Sequence, residues 1–130
     1  MAEQSFTVSV PADFDPTDRA EFVDAIIDYV IDRTKRGIGI KNNRRYDFPD
    51  YTPEYAASKG VGVGDVDLTD SGAMLEAMRV LRQNGEEVTI GFRTGSNLGK
   101  RAGYNDDQGR TFLGLNKGEL KGIENFVRNL

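Results

Sequence analysis

With no cysteine and no histidine among its 130 residues, the chain has no thiol nucleophile and lacks the commonest general base and transition-metal ligand. Any catalysis or metal binding would fall to carboxylates and hydroxyls. The carboxylates gather in three places. Asp24, Asp28 and Asp32 recur at intervals of four, which on a helix stacks like charges along one face at a cost of roughly 0.2 to 0.5 kcal/mol per pair. Local stability does not favour such a ladder. It reads either as a solubilising face or as an acidic stripe that meets a basic neighbour or lines a pore, where negative charge lets DNA slide without sticking. Asp13, Asp15 and Asp18, and again Asp65, Asp67 and Asp70, stand ahead of expected helices, where Asp serves for capping. Neither trio has the alternating ligands, central Gly and terminal Glu of an EF-hand loop. No metal or cofactor is expected, and no acid is singled out for paired-carboxylate hydrolysis. The run Gly60-Val61-Gly62-Val63-Gly64 lacks a following Lys-Ser/Thr, and Asp65 and Asp67 beside it would repel phosphate. It is not read as a nucleotide site.

The basic residues are concentrated. Residues 1–32 hold eight acids against Arg19 alone, whereas residues 33–45 hold six bases (Arg33, Lys35, Arg36, Lys41, Arg44 and Arg45) and no acid, within a net charge of −4. With Tyr46 and Phe48 just beyond, that run could grip phosphates while the aromatics stack on bases. A second reading pairs the basic run of one subunit with the acidic stripe of another and requires no outside ligand. The second is preferred, because it uses both halves of the asymmetry.

The elements that must position these charges follow from periodicity. Phe6, Val8 and Val10 alternate with Thr7 and Ser9 before Pro11, giving a strand over 4–10 that would serve as an edge or an arm. Asp15-Pro16-Thr17-Asp18 is a helix start, and the pairs Phe22-Val23, Ile26-Ile27 and Val30-Ile31 carry that helix to about Arg36, where Gly37 can end it. Residues 37–51 are polar and basic and are read as an extended loop that reaches away from the body. Thr52-Pro53 starts a short helix to Lys59, and a second capped helix is expected over 67–75. Asn84-Gly85 marks a hairpin between strands 78–83 and 86–92, with Leu81 opposite Val88 and Arg82 opposite Glu87. A short helix over 97–104 precedes Arg110 to Leu115, read as a short buried crossing segment. Asn116 with Glu119 three residues on opens a last helix whose apolar stripe is Leu120, Ile123, Phe126, Val127 and Leu130. The expected fold is α+β: one domain in which a small antiparallel sheet with a long hairpin packs on an N-terminal and a C-terminal helix.

Read in order, Arg33-Thr34-Lys35-Arg36-Gly37, Phe48 to Ala56, Lys59, Val66 to Leu75, Val88-Thr89-Ile90-Gly91-Phe92, Ala102, Gly109 and Arg110-Thr111-Phe112-Leu113-Gly114-Leu115 form a series that resembles the tailed-bacteriophage virion morphogenesis proteins. These are the tail completion or neck proteins of the Mu G type and their relatives. The likeness covers roughly residues 22–130. The chain departs from the pattern in lacking a His-Gln near Asn105 to Gln108 and a Pro at Thr111. The resemblance implies a structural, non-enzymatic virion subunit, made in the bacterial cytoplasm, that joins head to tail as a homo-oligomeric ring, with a hexamer or dodecamer expected. Its partners would be other neck, connector or tail-tube proteins, with genome DNA passing through the lumen without specific binding and no membrane involved. Asp24, Asp28, Asp32, Arg33, Lys35, Arg36, Lys41, Arg44, Arg45 and Arg110 are then the candidates for subunit contact or for the DNA channel. The N-terminal arm, the basic loop and the hairpin are the candidates to reach a neighbour.

Overall fold

Asp15 opens the first helix as the pattern at 15–18 requires. Its backbone is extended, its carboxylate accepts from the Asp18 amide (2.8 Å), and Pro16 occupies the first turn, where no amide partner is needed. The resulting helix α1 (Pro16–Lys35) buries Phe22, Ile26 and Val30 at successive turns and continues that buried row with Arg33 and Thr34. The computed structural model describes residues 4–41, 43–48, 53, 54, 57, 78–92 and 112–130. Pro53, Glu54 and Ala57 are helical, in line with the helix read from Thr52. The segments 60–64, 65–75 and 97–104, with the readings attached to them, lie outside the described residues.

The main sheet is antiparallel, in the order β1 (Gln4–Ser9), β5 (Glu87–Phe92), β4 (Arg79–Asn84). The strand read over 4–10 is therefore an edge strand rather than an arm. Phe6 pairs with Ile90 and Val8 with Val88, and Val8 and Val10 sink into the core. On the opposite face the Thr7 and Thr89 hydroxyls meet at 3.0 Å. Burying one face of this sheet against α1 joins Val8, Val10, Val88, Ile90 and Phe92 to Phe22, Ile26 and Val30 in one continuous apolar cluster. Phe112 completes it edge-on to Phe92, and from this buried residue the crossing segment runs on as coil rather than strand, with Leu113, Gly114 and Leu115 half-buried.

The β4–β5 hairpin forms, but in another register. Asn84 pairs with Glu87, Gln83 with Val88 and Arg82 with Thr89, so Leu81 does not face Val88 and Arg82 does not face Glu87. The turn is Gly85-Glu86, not Asn84-Gly85. Gly85 alone takes a positive φ (62°), which is the demand of a turn with glycine at its first central position. A register irregularity between Val80 and Arg82 takes up one residue of the offset and sets Val80 opposite Ile90. The turn is held down by Arg19, which donates to the Gly85 carbonyl (2.7 Å).

Residues 37–51 are corrected more deeply. Instead of an extended loop they supply a second antiparallel pair, β2 (Ile38–Lys41) and β3 (Arg44–Asp47). Ile40 and Phe48 are buried, Tyr46 stands edge-on to Phe48, and the Phe48 amide closes the base on the Gly37 carbonyl (2.9 Å). At the far end Asn43 takes a left-handed conformation (φ 63°) that Asn tolerates, and its side chain accepts from the Lys117 amide (3.1 Å). The hairpin is fastened to the body at both ends.

The last helix, α2 (Lys117–Arg128), begins with a complete capping box: the Glu119 amide donates to the Asn116 side chain (2.7 Å), and the Asn116 amide donates to Glu119 Oε1 (3.0 Å). Ile123 and Val127 face the core, but Phe126 and Leu130 do not; they are 59% and 71% exposed. The apolar stripe read along this helix is thus split into a core row and an exposed row. No helix among the described residues is long and apolar enough to cross a membrane.

Candidate functional site

Arg33 and Glu119 meet between the two helices. Arg33 is 2% exposed; its Nη1 donates to Glu119 Oε1 (2.9 Å) and its Nη2 to the Phe112 carbonyl (2.5 Å). Its Nε has no partner among the described residues. Glu119 also accepts from the Tyr29 hydroxyl at Oε2 (2.7 Å), and Arg45 Nε lies 3.7 Å from the same oxygen. A guanidinium suits this position because its planar fork serves a carboxylate and a carbonyl together, which an ammonium cannot do in fixed geometry. Burial by itself would push the Glu119 carboxyl up; the Asn116 amide, the Tyr29 hydroxyl and the Arg33 charge outweigh it and hold the group below its ordinary value. Burial and then the bond to Glu119 push the Tyr29 phenol up. An ionised carboxylate saturated with donors, beside a phenol that holds its proton, is poorly matched to proton transfer near neutrality. It is well matched to locking α1, α2 and the crossing segment together.

Arg33 therefore leaves the set of residues that could face a neighbour or DNA. The cue was present in the sequence: Arg33 follows Phe22, Ile26 and Val30 at helical spacing, on the row that the apolar residues mark as core. Tyr29 and Glu119 are not among the candidates that the sequence marks: Glu119 reads there as a cap, a role that uses Oε1, while Oε2 accepts from the Tyr29 hydroxyl.

The remaining candidates are dispersed. Asp24, Asp28 and Asp32 are exposed, and Asp32 pairs with Arg36 at the cap of α1 (2.9 Å), so one acid of the ladder is engaged inside the subunit and, with Arg33 and Arg45 on Glu119, three bases of the run are. Lys35, Arg44 and Arg45 are exposed, Lys41 lies in β2, and Arg110 is outside the described residues. Of the Asp trio near the start, Asp13 receives two bonds from Arg128 (2.7 and 3.0 Å), which hold its carboxyl below the ordinary range, and Asp15 caps α1. Both are in structural use.

Asp24 and Asp28, with Glu21, form one wall of an open groove of about 940 Å³ between α1 and α2, which Tyr29 and Arg45 also line. More of the lining comes from α2, with Gly118, Gly122, Ile123 and the exposed Phe126. Gly122, in the interior of α2, costs about 1 kcal/mol relative to alanine. No contact among the described residues asks for either glycine: a Cβ on Gly122 meets no described atom within 4 Å, and one on Gly118 meets Asn116 Oδ1 at 3.5 Å. No family model matches the chain, and neither a curated protein nor a solved structure matches it.

Proposed function

We propose that the chain is a structural subunit of a bacteriophage head-to-tail junction, a neck, tail-completion or tail-terminator protein that assembles into a ring and performs no catalysis. The observation that carries the reading is where two of its motifs meet. Arg33, from the segment Arg33-Thr34-Lys35-Arg36-Gly37, donates to the carbonyl of Phe112, from the segment that ends at Leu115. These two motifs thus meet at a buried joint between elements, which maintains a subunit's shape. The separation of acids and bases along α1 and the adjoining hairpin also suits the heterologous contacts that close a ring.

Native mass spectrometry of the purified chain, together with protein identification in virions, tests the reading. A discrete ring, hexameric or dodecameric, and presence in particles are expected. A strict monomer absent from particles overturns it. Binding of DNA with an affinity that falls steeply with salt would instead favour a nucleic-acid module built on Lys35, Arg36, Lys41, Arg44 and Arg45.

A further inference from the structure

We infer that the groove between α1 and α2 is the socket for a second copy of this chain, which enters with its basic end, Lys35 and Arg44. The inference rests on the ring reading and specifies the contact within it. The first argument is charge. Asp24 and Lys35 lie about 16 Å apart along α1, twice the screening length of about 8 Å at physiological salt, and Arg45, the basic residue among those lining the groove, sits against Glu119 at 3.7 Å, so Glu21, Asp24 and Asp28 leave the groove wall net acidic while Lys35 and Arg44 stand exposed outside its lining. Head-to-tail copies bring them together. The second argument is shape. The groove floor at Gly118 and Gly122 has no side chain, which no packing among the described residues explains, and Phe126 stands 59% exposed at its edge. An open floor beside an uncovered aromatic accepts the close approach of another backbone, and the carboxylate wall selects a cationic one.

Three variants of the whole chain, followed by native mass spectrometry over a concentration series, test the socket. Asp24→Lys/Asp28→Lys puts like charges across the contact and is expected to raise the concentration at half-assembly roughly a hundredfold. Combining it with Lys35→Glu/Arg44→Glu, which reverses the other side, is expected to restore assembly, a rescue that a folding defect would not show. Gly122→Gln fills the floor and is expected to abolish assembly while leaving the melting temperature of the subunit unchanged or higher. Wild-type rings that all three variants preserve overturn the socket and leave the ring reading standing. A wild-type chain that is monomeric at every concentration and absent from particles overturns both. If the wild type stays monomeric yet enters particles, and Asp24→Lys/Asp28→Lys blocks that entry, the groove belongs to a different virion protein and the second copy is excluded.

Discussion

At Arg33 a residue read as surface charge proves to be the most buried ion in the described structure, and its energetics follow from that. Replacing Arg33 with alanine leaves Glu119 ionised and short of its main counter-charge, at a cost of about 3 to 5 kcal/mol, whereas Lys35→Ala, on the exposed side of the same helix, should stay within about 0.5 kcal/mol. Urea titration of both variants measures the contrast. A double replacement by Met and Leu should recover only part of the loss, because the Phe112 carbonyl, the Tyr29 hydroxyl and the Asn116 amide all lose a partner. The cluster also sets a pH response. Glu119 has its folded-state value below the ordinary 4.5, so its contribution is complete above 4.5 and is lost as pH falls through the lower folded value. Melting temperature followed from pH 7 to 3 should converge between wild type and Glu119→Gln as that window is crossed. A gap that stays constant would show that Glu119 acts through shape alone. Nothing in residue type separates Arg33 from Arg36; only its place on the row set by Phe22, Ile26 and Val30 does, and that row was legible.

Among the elements, each terminus and turn can be tested separately. Asn116→Ala removes half of the capping box and should destabilise the protein by about 1 kcal/mol, seen as a lower urea midpoint with an unchanged slope. Gly91→Ala acts across the sheet: a Cβ there collides with the Gln4 carbonyl oxygen and falls 2.7 Å from Ser5 Cα. The backbone of β1 has to move, and a loss of about 1 to 3 kcal/mol is expected. Hydrogen exchange should locate it in β1 rather than in the β4–β5 turn. Helices were the easier elements to read, since Asp15-Pro16 and Asn116 with Glu119 supply local signals that tertiary contacts do not need to complete. Both hairpins were harder. Asn84-Gly85 marked a turn correctly but not its phase, because the same glycine can serve as either central residue and only the pairing with Val88 and Glu87 decides. In β2–β3 the alternation Ile38, Ile40, Tyr46, Phe48 was present, but six basic residues within 33–45 concealed a strand pair whose apolar side is only a few residues wide. The exposed Phe126 is the converse case: helical spacing identifies a face, and packing decides which part of the face is covered.

For the whole molecule, α1 is the common support. It shares the apolar cluster with the main sheet, touches β2 and α2, and carries both ends of the charge separation. Ring assembly driven partly by that separation should weaken with added salt, so raising sodium chloride from 50 to 500 mM should move the native mass distribution towards the subunit; an insensitive distribution would mean that apolar contact at Phe126 dominates. The sheet order β1-β5-β4 has a consequence in time. The first strand finds its partner only at residues 87–92, and the ion pair between Asp13 and Arg128 closes later still. On a ribosome moving at roughly 5 to 20 residues per second, Ser9 waits on the order of 4 to 16 s before Phe92 is even synthesised. During that interval α1 can form alone, but Val8, Val10 and Phe22 have no sheet to cover them. Newborn chains of this protein should therefore engage hydrophobic-binding chaperones until the last third of the sequence emerges, and the fold should be completed in one late step.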